Sequence, residues 1–328
     1  MANSVPLFSV VIPAYNAERW IGETLESFAG QTTSDMEVIV VDDGSSDATV
    51  VVAEAFAGRL DLKIIREPRS GAPAHPCNVG TSVARGELIV CCDSDDLATP
   101  DRLESIRFAW DAAGRRDCLI FSDHSEIDET GNLLSSSKLA EHPMLHAALP
   151  ESLGVDIALL SADNAFEMLL AGCFIRPCAV AIPKRILERV GGYDERLRNG
   201  QDYDLYLRVG WEYPFLWVKR TLGLYRRSHG NISSRPLREL VPSRVVVLKR
   251  LLSLPLTSNQ NRTVREWIAY NYQALGYEYG DHGQLGESLR AYYRAYRHRS
   301  NLAVLRGMAV SLAKTVMVGQ RRRNPRRA

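Results

Sequence analysis

A short acidic cluster directly follows an apolar run and is the segment best suited to chemistry. Residues 88–92 are Leu-Ile-Val-Cys-Cys, and Asp93, Asp95 and Asp96 come next. Because unpaired buried carboxylates are costly, the run predicts a buried strand with the acids at its open end. Alternation along an extended chain places Asp93 and Asp95 on the same side. Carboxylate oxygens are ligands of Mg²⁺ or Mn²⁺, so the cluster favours a metal shared with a substrate diphosphate.

The same cluster has a second interpretation, an acidic turn after a strand that caps the following helix. Residues 97–110 have a helical pattern, and Asp96 is placed to cap it. The segment alone does not decide between a metal site and a capped turn.

Composition restricts the class of protein. The 328 residues are 45% hydrophobic, enough for one large or two modest domains. Lys plus Arg is 40 against 39 for Asp plus Glu, which argues against a dedicated nucleic-acid binder. The six cysteines form no Cys-x-x-Cys pair and lie mostly in apolar segments, as reduced cytosolic thiols do, so a zinc site is not expected.

The N-terminal region reaches a strand by Phe8 without a signal-peptide pattern, and no apolar stretch is long enough to span a bilayer. We therefore expect a cytoplasmic protein.

Strand and helix patterns alternate through the first third of the chain. Alternation of this kind predicts an α/β fold with a doubly wound, mostly parallel, Rossmann-like sheet. The predicted strands lie at 8–13, 36–41, 62–66 and 88–92, and the predicted helices at 18–30, 49–56 and 75–84.

Polar residues follow three of these strands, at 14–16, 42–44 and 93–95. In doubly wound sheets ligands bind at the carboxyl ends of the strands, so the three clusters predict one site. The chain has neither Gly-x-Gly-x-x-Gly after the first strand nor a P-loop, which disfavours a dinucleotide dehydrogenase and a P-loop enzyme. Without a glycine loop, a diphosphate would need a metal to hold it.

Several motifs over about residues 5–235, in this order and spacing, resemble those of family 2 glycosyltransferases. The motifs are SVVIPAYN at 9–16, EVIVVDDGSSD at 37–47, NVG at 78–80 with Ala-Arg-Gly at 84–86, DSDD at 93–96, GGYDE at 191–195, QDYDLYLR at 201–208 and YRRSHGNIS at 225–233. The resemblance implies a GT-A fold, a nucleotide-sugar donor, Mg²⁺ or Mn²⁺, and inversion at the anomeric carbon.

By the same resemblance, the nucleobase lies beside Pro13, Ala14, Tyr15 and Asn16. Tyr15 either stacks on the base or packs at the rim, and the alternative is a tyrosine that closes a strand end.

Asp42 or Asp43 is expected to accept a hydrogen bond from the base, with uracil the commonest case. The other acid makes an Asx-type turn, and Asp43 is favoured for the base.

The remaining donor-side roles also follow from matching motifs. Asp93 would contact the ribose with Ser94 beside it, and Asp95 would ligate the metal. Arg69 either approaches the pyrophosphate or is a solvated charge. His229 would reach the metal or diphosphate, or else is a solvated loop histidine.

In the same motif, Arg226 or Arg227 would pair with phosphate.

Asp202 is the candidate general base, since inversion by one displacement needs a group that takes the proton of the acceptor hydroxyl. The family usually has Glu-Asp here, whereas this chain has Gln201 before Asp202. The alternative is that Asp202 is the N-cap of a helix at 203–209.

Three segments complete the domain prediction: a GT-A domain at 1–235, a helical region at 236–320 and a basic tail at 321–328. The donor half of the GT-A domain is expected at about 1–130 and the acceptor half at about 131–235. The acceptor half contains a weakly patterned stretch at 133–164 that either covers the acceptor pocket or is a surface insertion. The tyrosines of the helical region are expected to pack between helices or, as the minority interpretation, to line a sugar surface.

An apolar face at 302–318 and the arginine-rich tail either lie on an anionic membrane surface or dock on the core with a disordered end.

The sequence therefore predicts an inverting glycosyltransferase that uses a nucleotide sugar, with UDP favoured, and a saccharide, lipid-linked or protein-linked acceptor in glycan or polysaccharide assembly. The location would be cytoplasmic, with the inner face of the membrane as a peripheral site. Alternatives are a non-catalytic nucleotide- or glycan-binding relative and a sugar nucleotidyltransferase.

Overall fold

The computed structural model describes residues 5–140, 142–147, 150–228, 230–300 and 303–311. Two compact units divide the chain, Met1–Gly230 and Asn231–Ala328.

The first unit is built on a single mixed sheet. Its strands are β1 (Phe8–Ala14), β2 (Met36–Asp42), β3 (Leu62–Arg66), β4 (Leu88–Cys91), β5 (Leu97–Ala98), β6 (Leu119–Ile127), β7 (Leu133–Ser135), β8 (Glu151–Gly154), β9 (Ile157–Leu160), β10 (Val180–Pro183) and β11 (Phe215–Arg226).

The sheet order is β3-β2-β1-β4-β10-β6-β11-β9-β8, with β5 paired to β11 and β7 to β6. Along the main path, β10 and β9 run against the direction that the other strands share. The predicted α/β class with a mostly parallel sheet is confirmed. Parallel strands at the centre are covered on both faces, and every residue of β1 and β4 is buried, which explains their continuous apolar runs.

Helices connect these strands and cover the sheet. They are α1 (Ile21–Ala29), α2 (Thr49–Glu54), α3 (Ala74–Val83), α4 (Arg102–Ala112), α5 (Pro143–Ala147), α6 (Ala162–Leu170), α7 (Lys184–Val190) and α8 (Gln201–Glu212).

The predicted helix at 97–110 is wrong in its first turn. Leu97 and Ala98 form β5 against β11, and α4 begins at Arg102 after Asp101. Asp96 therefore does not cap that helix. Its buried carboxylate accepts the backbone N–H of Arg226 at 2.8 Å instead. A pairing with a strand more than a hundred residues later overrides the local helical pattern.

The weakly patterned stretch at 133–164 carries defined elements, from β7 to the start of α6. The apolar run at 173–182 is split between a 3-10 helix at Pro177–Ala179 and β10.

The second unit is helical, as expected. Its elements are a 3-10 helix at Ile232–Ser234, α9 (Leu237–Leu251), α10 (Ser258–Asp281), α11 (Leu285–His298) and a helix at 303–311. A capping box starts α10, in which Thr257 Oγ1 accepts from Gln260 N while the Gln260 side chain accepts from Thr257 N.

The prediction that the tyrosines of this unit pack between helices holds for Tyr272 and Tyr292, which are buried. It is wrong for four others, because their rings are exposed: Tyr270, Tyr277, Tyr293 and Tyr296.

The basic tail at 321–328 lies outside the described residues, as do residues 302 and 312–318 of the apolar face at 302–318. Within the described part of the chain, none of the helices is both long and apolar enough to cross a membrane.

Candidate active site

The acidic cluster after β4 brings three carboxylates together. Oxygens of Asp93, Asp95 and Asp96 all lie within 4.8 Å of one another. The cause differs from the predicted alternation along a strand, since β4 ends at Cys91 and a turn follows. In that turn Asp96 N donates to Asp93 O at 3.1 Å, so the side chains converge by chain reversal.

Arg226, at the end of β11, stabilises this turn through hydrogen bonds. Its Nε donates to the carbonyl oxygen of Asp95 at 2.8 Å, and its Nη2 donates to Glu23 at 2.7 Å. The Arg226 side chain is fully buried, and its charge pairs with Glu23 within the protein.

Its predicted pairing with phosphate is therefore wrong. The neighbouring Arg227 lies near Glu126 on β6, 3.3 Å from the carboxylate.

Burial and mutual repulsion disfavour the state of the acidic cluster in which all three carboxylates are ionised. Burial, followed by the charges of Asp95 and Asp202, raises the pKa of Asp93 to about 7. Burial likewise raises the pKa of Asp95 and, well above its usual value, that of Asp96. Asp96 Oδ2 is also buried without a hydrogen-bond partner among the described residues. Oxygen ligands in excess of their partners fit a hard divalent cation.

Asp202 lies in the first turn of α8, in the second half of this unit. The N-cap interpretation is wrong, because Gly200 takes that place with φ of 69° and Asp202 is already helical. Tyr203 N donates to Asp202 Oδ1 at 2.9 Å, and burial raises the pKa of Asp202. Its charge contributes to the raised pKa of Asp93, so the candidate base and the acidic cluster share one site.

The two acids at the end of β2, Asp42 and Asp43, accept different hydrogen bonds. Asp42 accepts from Ser45 N at 3.2 Å, which is an Asx-type turn. Asp43 is buried and accepts from Ser70 N at 2.8 Å and Gly71 N at 3.3 Å, which anchors the loop after β3.

Arg69 is not a solvated charge. It pairs with Asp43, and its Cζ lies 3.3 Å from the centroid of the Tyr15 ring. The Tyr15 ring remains 44% exposed at the rim. Arg69 therefore joins the candidate base-binding residues Tyr15 and Asp43 into one cluster.

The residues around Tyr15 shape the end of β1. Asn16 has φ of 47° and accepts the N–H of Ser46 at 2.9 Å, which ties the first two loops together. Ala14 O accepts from Asp43 N at 2.8 Å, and Pro13 lies in β1.

Ser94 O accepts from Thr24 Oγ1 at 3.0 Å, which connects the acidic turn to α1. His229 lies outside the described residues.

Asn78 joins the two halves of this unit. Its side chain accepts from Tyr193 N at 2.8 Å and donates to Tyr193 O and Glu195 at 2.9 Å. Glu195 also lies 3.1 Å from the Nδ1 of His75. Side chains of α3 thereby fix the loop that leads toward Asp202.

Two residues of the site were missed by sequence reasoning, Arg176 and His124. The charge of Arg176 lowers the pKa of both Asp93 and Asp202, and it also acts on His124. A lone arginine inside the apolar run at 173–182 was the signal for Arg176. His124 gave no usable signal, since a single histidine in a strand is ordinary.

Comparison with known proteins supports this geometry. The family model described as "Glycosyl transferase family 2" matches residues 9–158. Over these residues the chain matches the family 2 glycosyltransferases. The match covers the three loops after β1, β2 and β4 that form the candidate donor side.

The most similar curated relatives include a chondroitin synthase of Escherichia coli. It is 28% identical over 220 residues, which is 66% of this chain and 28% of that protein. The poly(ribitol-phosphate) β-N-acetylglucosaminyltransferase TarS of Staphylococcus aureus is 41% identical over 100 residues, 30% of this chain and 18% of that protein. The chain spans between 18% and 58% of the length of the first curated relatives that it matches.

Two of the similar solved structures share the fold. TarS 1–349 in complex with UDP-GlcNAc has a TM-score of 0.67 at 18% identity, over 97% of this chain and 92% of that one. The mannosyltransferase PcManGT of Pyrobaculum calidifontis, in complex with GDP-Man and Mn²⁺, has a TM-score of 0.54 at 16% identity, over 96% and 81%. The expected GT-A fold is confirmed.

Proposed function

We propose that this chain is an inverting, metal-dependent glycosyltransferase that moves a sugar from a UDP-sugar to a hydroxyl acceptor. The observation that carries the proposal is the meeting of three carboxylates after β4 with Asp202 at the start of α8. The three carboxylates after β4 suit a metal that binds the leaving diphosphate, and Asp202 suits the role of general base for the attacking hydroxyl.

On the donor side, Asp95 and His229 would hold Mn²⁺ or Mg²⁺, with Asp93 at the ribose and Ser94 beside it. When bound, the metal neutralises charge that develops on the departing diphosphate. Pro13, Ala14, Tyr15 and Asn16 would border the base, Asp43 would accept from it, and Arg69 would approach the pyrophosphate.

On the acceptor side, Asp202 takes the proton of the attacking hydroxyl. The acceptor oxygen forms a bond to the anomeric carbon as the bond from that carbon to the diphosphate oxygen breaks, with inversion. The raised pKa of Asp202 suits this task, because a base with higher proton affinity removes the hydroxyl proton more readily.

UDP is the favoured nucleotide because two of the similar solved structures contain UDP or UDP-GlcNAc. The complex of PcManGT with GDP-Man makes GDP the main competitor. The acceptor would be a saccharide, or a glycan linked to lipid or protein, in glycan or polysaccharide assembly. The relatives named as chondroitin synthase and poly(ribitol-phosphate) transferase support polymer assembly as the setting.

The deciding experiment is a thermal-shift panel with UDP, GDP, dTDP and CDP, each with Mn²⁺, with Mg²⁺ and with EDTA. We expect UDP to stabilise the wild type only with a metal, by about 2.7 kcal/mol at one hundred times its dissociation constant. Asp95→Ala should abolish the shift.

Asp111→Ala is the matched control, because that aspartate is exposed on α4 and pairs with nearby Arg115. Folded wild-type protein that no nucleotide stabilises, with or without metal, would contradict the proposed donor site.

A non-catalytic nucleotide-binding relative is the second candidate function. Gln201 stands where the family usually has glutamate, and its Oε1 is buried without a hydrogen-bond partner among the described residues. Metal-dependent binding of a UDP-sugar without release of UDP, in the presence of glycan acceptors, would favour this candidate.

A further inference from the structure

Arg176 lies at the rim of the sheet where the donor and acceptor halves meet. It directly precedes the 3-10 helix at Pro177–Ala179, and β10 starts immediately afterwards. Since β10 runs antiparallel to both neighbours, β4 and β6, its start lies beside the end of β4 and beside Phe121 in β6. Asp93 follows the end of β4, and His124 lies three residues after Phe121 on β6.

The Arg176 guanidinium is poorly satisfied by the protein. Its Cζ lies 4.8 Å from the centroid of the Tyr225 ring, and its Nε is buried without a hydrogen-bond partner among the described residues. A buried donor that lacks a partner is costly, so an arginine kept in this state is suited to receive its partner from a ligand.

His124 presents a second unsatisfied polar atom near Arg176. Its side chain is only 2% exposed, and its Nδ1 is buried without a partner in the described part of the chain. Burial, together with the positive charge of Arg176, lowers the pKa of His124 to about 4, so the imidazole is neutral near pH 7. A cationic donor and a neutral imidazole together suit a hydroxyl group, which both accepts and donates, or a carbonyl oxygen, which accepts.

We propose that Arg176, assisted by His124, binds the transferred sugar of the donor through its hydroxyl or acetamido oxygens. The inference rests on the proposed function. In an in-line displacement the sugar lies between the leaving group and the base. The charge of Arg176 lowers the pKa of Asp93, on the leaving-group side, and of Asp202, the base, so a ligand that binds Arg176 lies near both groups.

The test compares UDP with UDP-sugars by titration calorimetry in the presence of Mn²⁺. The probes are UDP-glucose, UDP-galactose, UDP-N-acetylglucosamine and UDP-glucuronate, and the one that binds wild type most tightly is carried forward. We expect Arg176→Ala to weaken that UDP-sugar about tenfold or more, the size expected for one hydrogen bond to a charged group. Binding of UDP alone should change by less than about twofold, which also shows that the variant is folded.

Arg176→Gln keeps a polar side chain and serves as the second variant if the alanine variant fails to fold. His124→Gln should give a smaller loss with the same preference for the UDP-sugar over UDP. Arg59→Ala is the matched control, because that arginine is exposed and pairs with Glu26 on α1.

Equal loss for UDP and the UDP-sugar would assign Arg176 to the diphosphate and overturn the inference. Unchanged binding of both ligands, with a raised KM for the acceptor, would assign it to the acceptor and also overturn it. Wild-type protein that binds no nucleotide would overturn the proposed function and this inference together.

Discussion

At the residue scale, Asp202 carries the clearest catalytic prediction. Asp202→Asn keeps the size of the side chain but removes its ability to take a proton. We expect UDP release in the presence of acceptor to fall by about 10²- to 10⁴-fold, the usual contribution of a general base. Titration calorimetry should show that the UDP-sugar still binds.

Asp163→Asn, at an exposed position on α6, is the control for this substitution. Near-normal turnover by Asp202→Asn would show that another group is the base.

The ion pair of His75 predicts a pH-dependent contribution to stability. Burial lowers the pKa of His75, but its hydrogen bond to Glu195 and the charges of Glu195 and Glu67 outweigh burial, so the net pKa is raised. Stability from this pair is therefore fully present below the usual histidine pKa and is lost as the pH rises through the raised value.

We expect the difference in melting temperature between wild type and His75→Asn to be larger at about pH 5.5 than at about pH 8.5. A difference that is constant with pH would show that His75 contributes by packing alone.

Much of the site could be predicted residue by residue where a local pattern carries the information. An Asx-type turn after β2 was expected, and Asp42 makes it. The role of Asp43 at the base stays a prediction. Arg176 and His124 could not be predicted in this way. Their roles depend on β10 lying antiparallel between β4 and β6, and no local sequence pattern specifies that long-range pairing.

At the element scale, α3 packs against β1 so closely that Gly80 cannot carry a side chain. A Cβ at this position would lie 2.4 Å from Val11 Cγ1. We expect Gly80→Ala to destabilise the protein by about 1–3 kcal/mol, as overpacking usually does. Urea unfolding measures the difference.

Gly58→Ala is the matched control, since a Cβ there meets nothing within 4 Å. Equal stability of the two variants would show that α3 shifts at no cost.

The boundaries of helices and strands show where a local sequence pattern predicts the structure and where it does not. The predicted strand at 62–66 matches β3, and the predicted helix at 75–84 differs from α3 by one residue at each end. The helical pattern at 97–110 failed because Leu97 and Ala98 pair with Leu224 and Gly223 of β11. Tertiary pairing supplies hydrogen bonds that a short stretch of helical propensity does not outweigh.

At the scale of the whole molecule, the candidate donor side lies entirely within the first unit. Every residue proposed to contact the nucleotide or metal precedes Gly230. We therefore expect a fragment of residues 1–235 to retain the metal-dependent thermal shift with UDP. A fragment that is folded by circular dichroism but shows no shift would indicate that the second unit is needed for donor binding.

The arginine-rich tail predicts attraction to anionic lipid. It contains Arg321, Arg322, Arg323, Arg326 and Arg327 and no acid. Each arginine near a phosphatidylserine surface contributes about 1 kcal/mol, and salt screens the effect. We expect the full chain to sediment with phosphatidylserine vesicles at low salt and to be released at about 1 M salt.

The same chain without residues 321–328 should stay in the supernatant under both conditions. Equal binding of both chains would assign any membrane affinity to another surface.

The pairing of Arg69 with Asp43 and Tyr15 has a consequence for how tightly a nucleotide is held. Arg69 is a tethered competitor, present at high effective concentration, for the face of Tyr15 that it covers. For a base that stacks on that face, the measured dissociation constant is the intrinsic one divided by the fraction of molecules in which Arg69 has moved away. If the proposed roles of Tyr15 and Arg69 hold, removing Arg69 frees the ring of Tyr15 and also deletes the cation proposed to approach the pyrophosphate, and the two effects act on affinity in opposite directions.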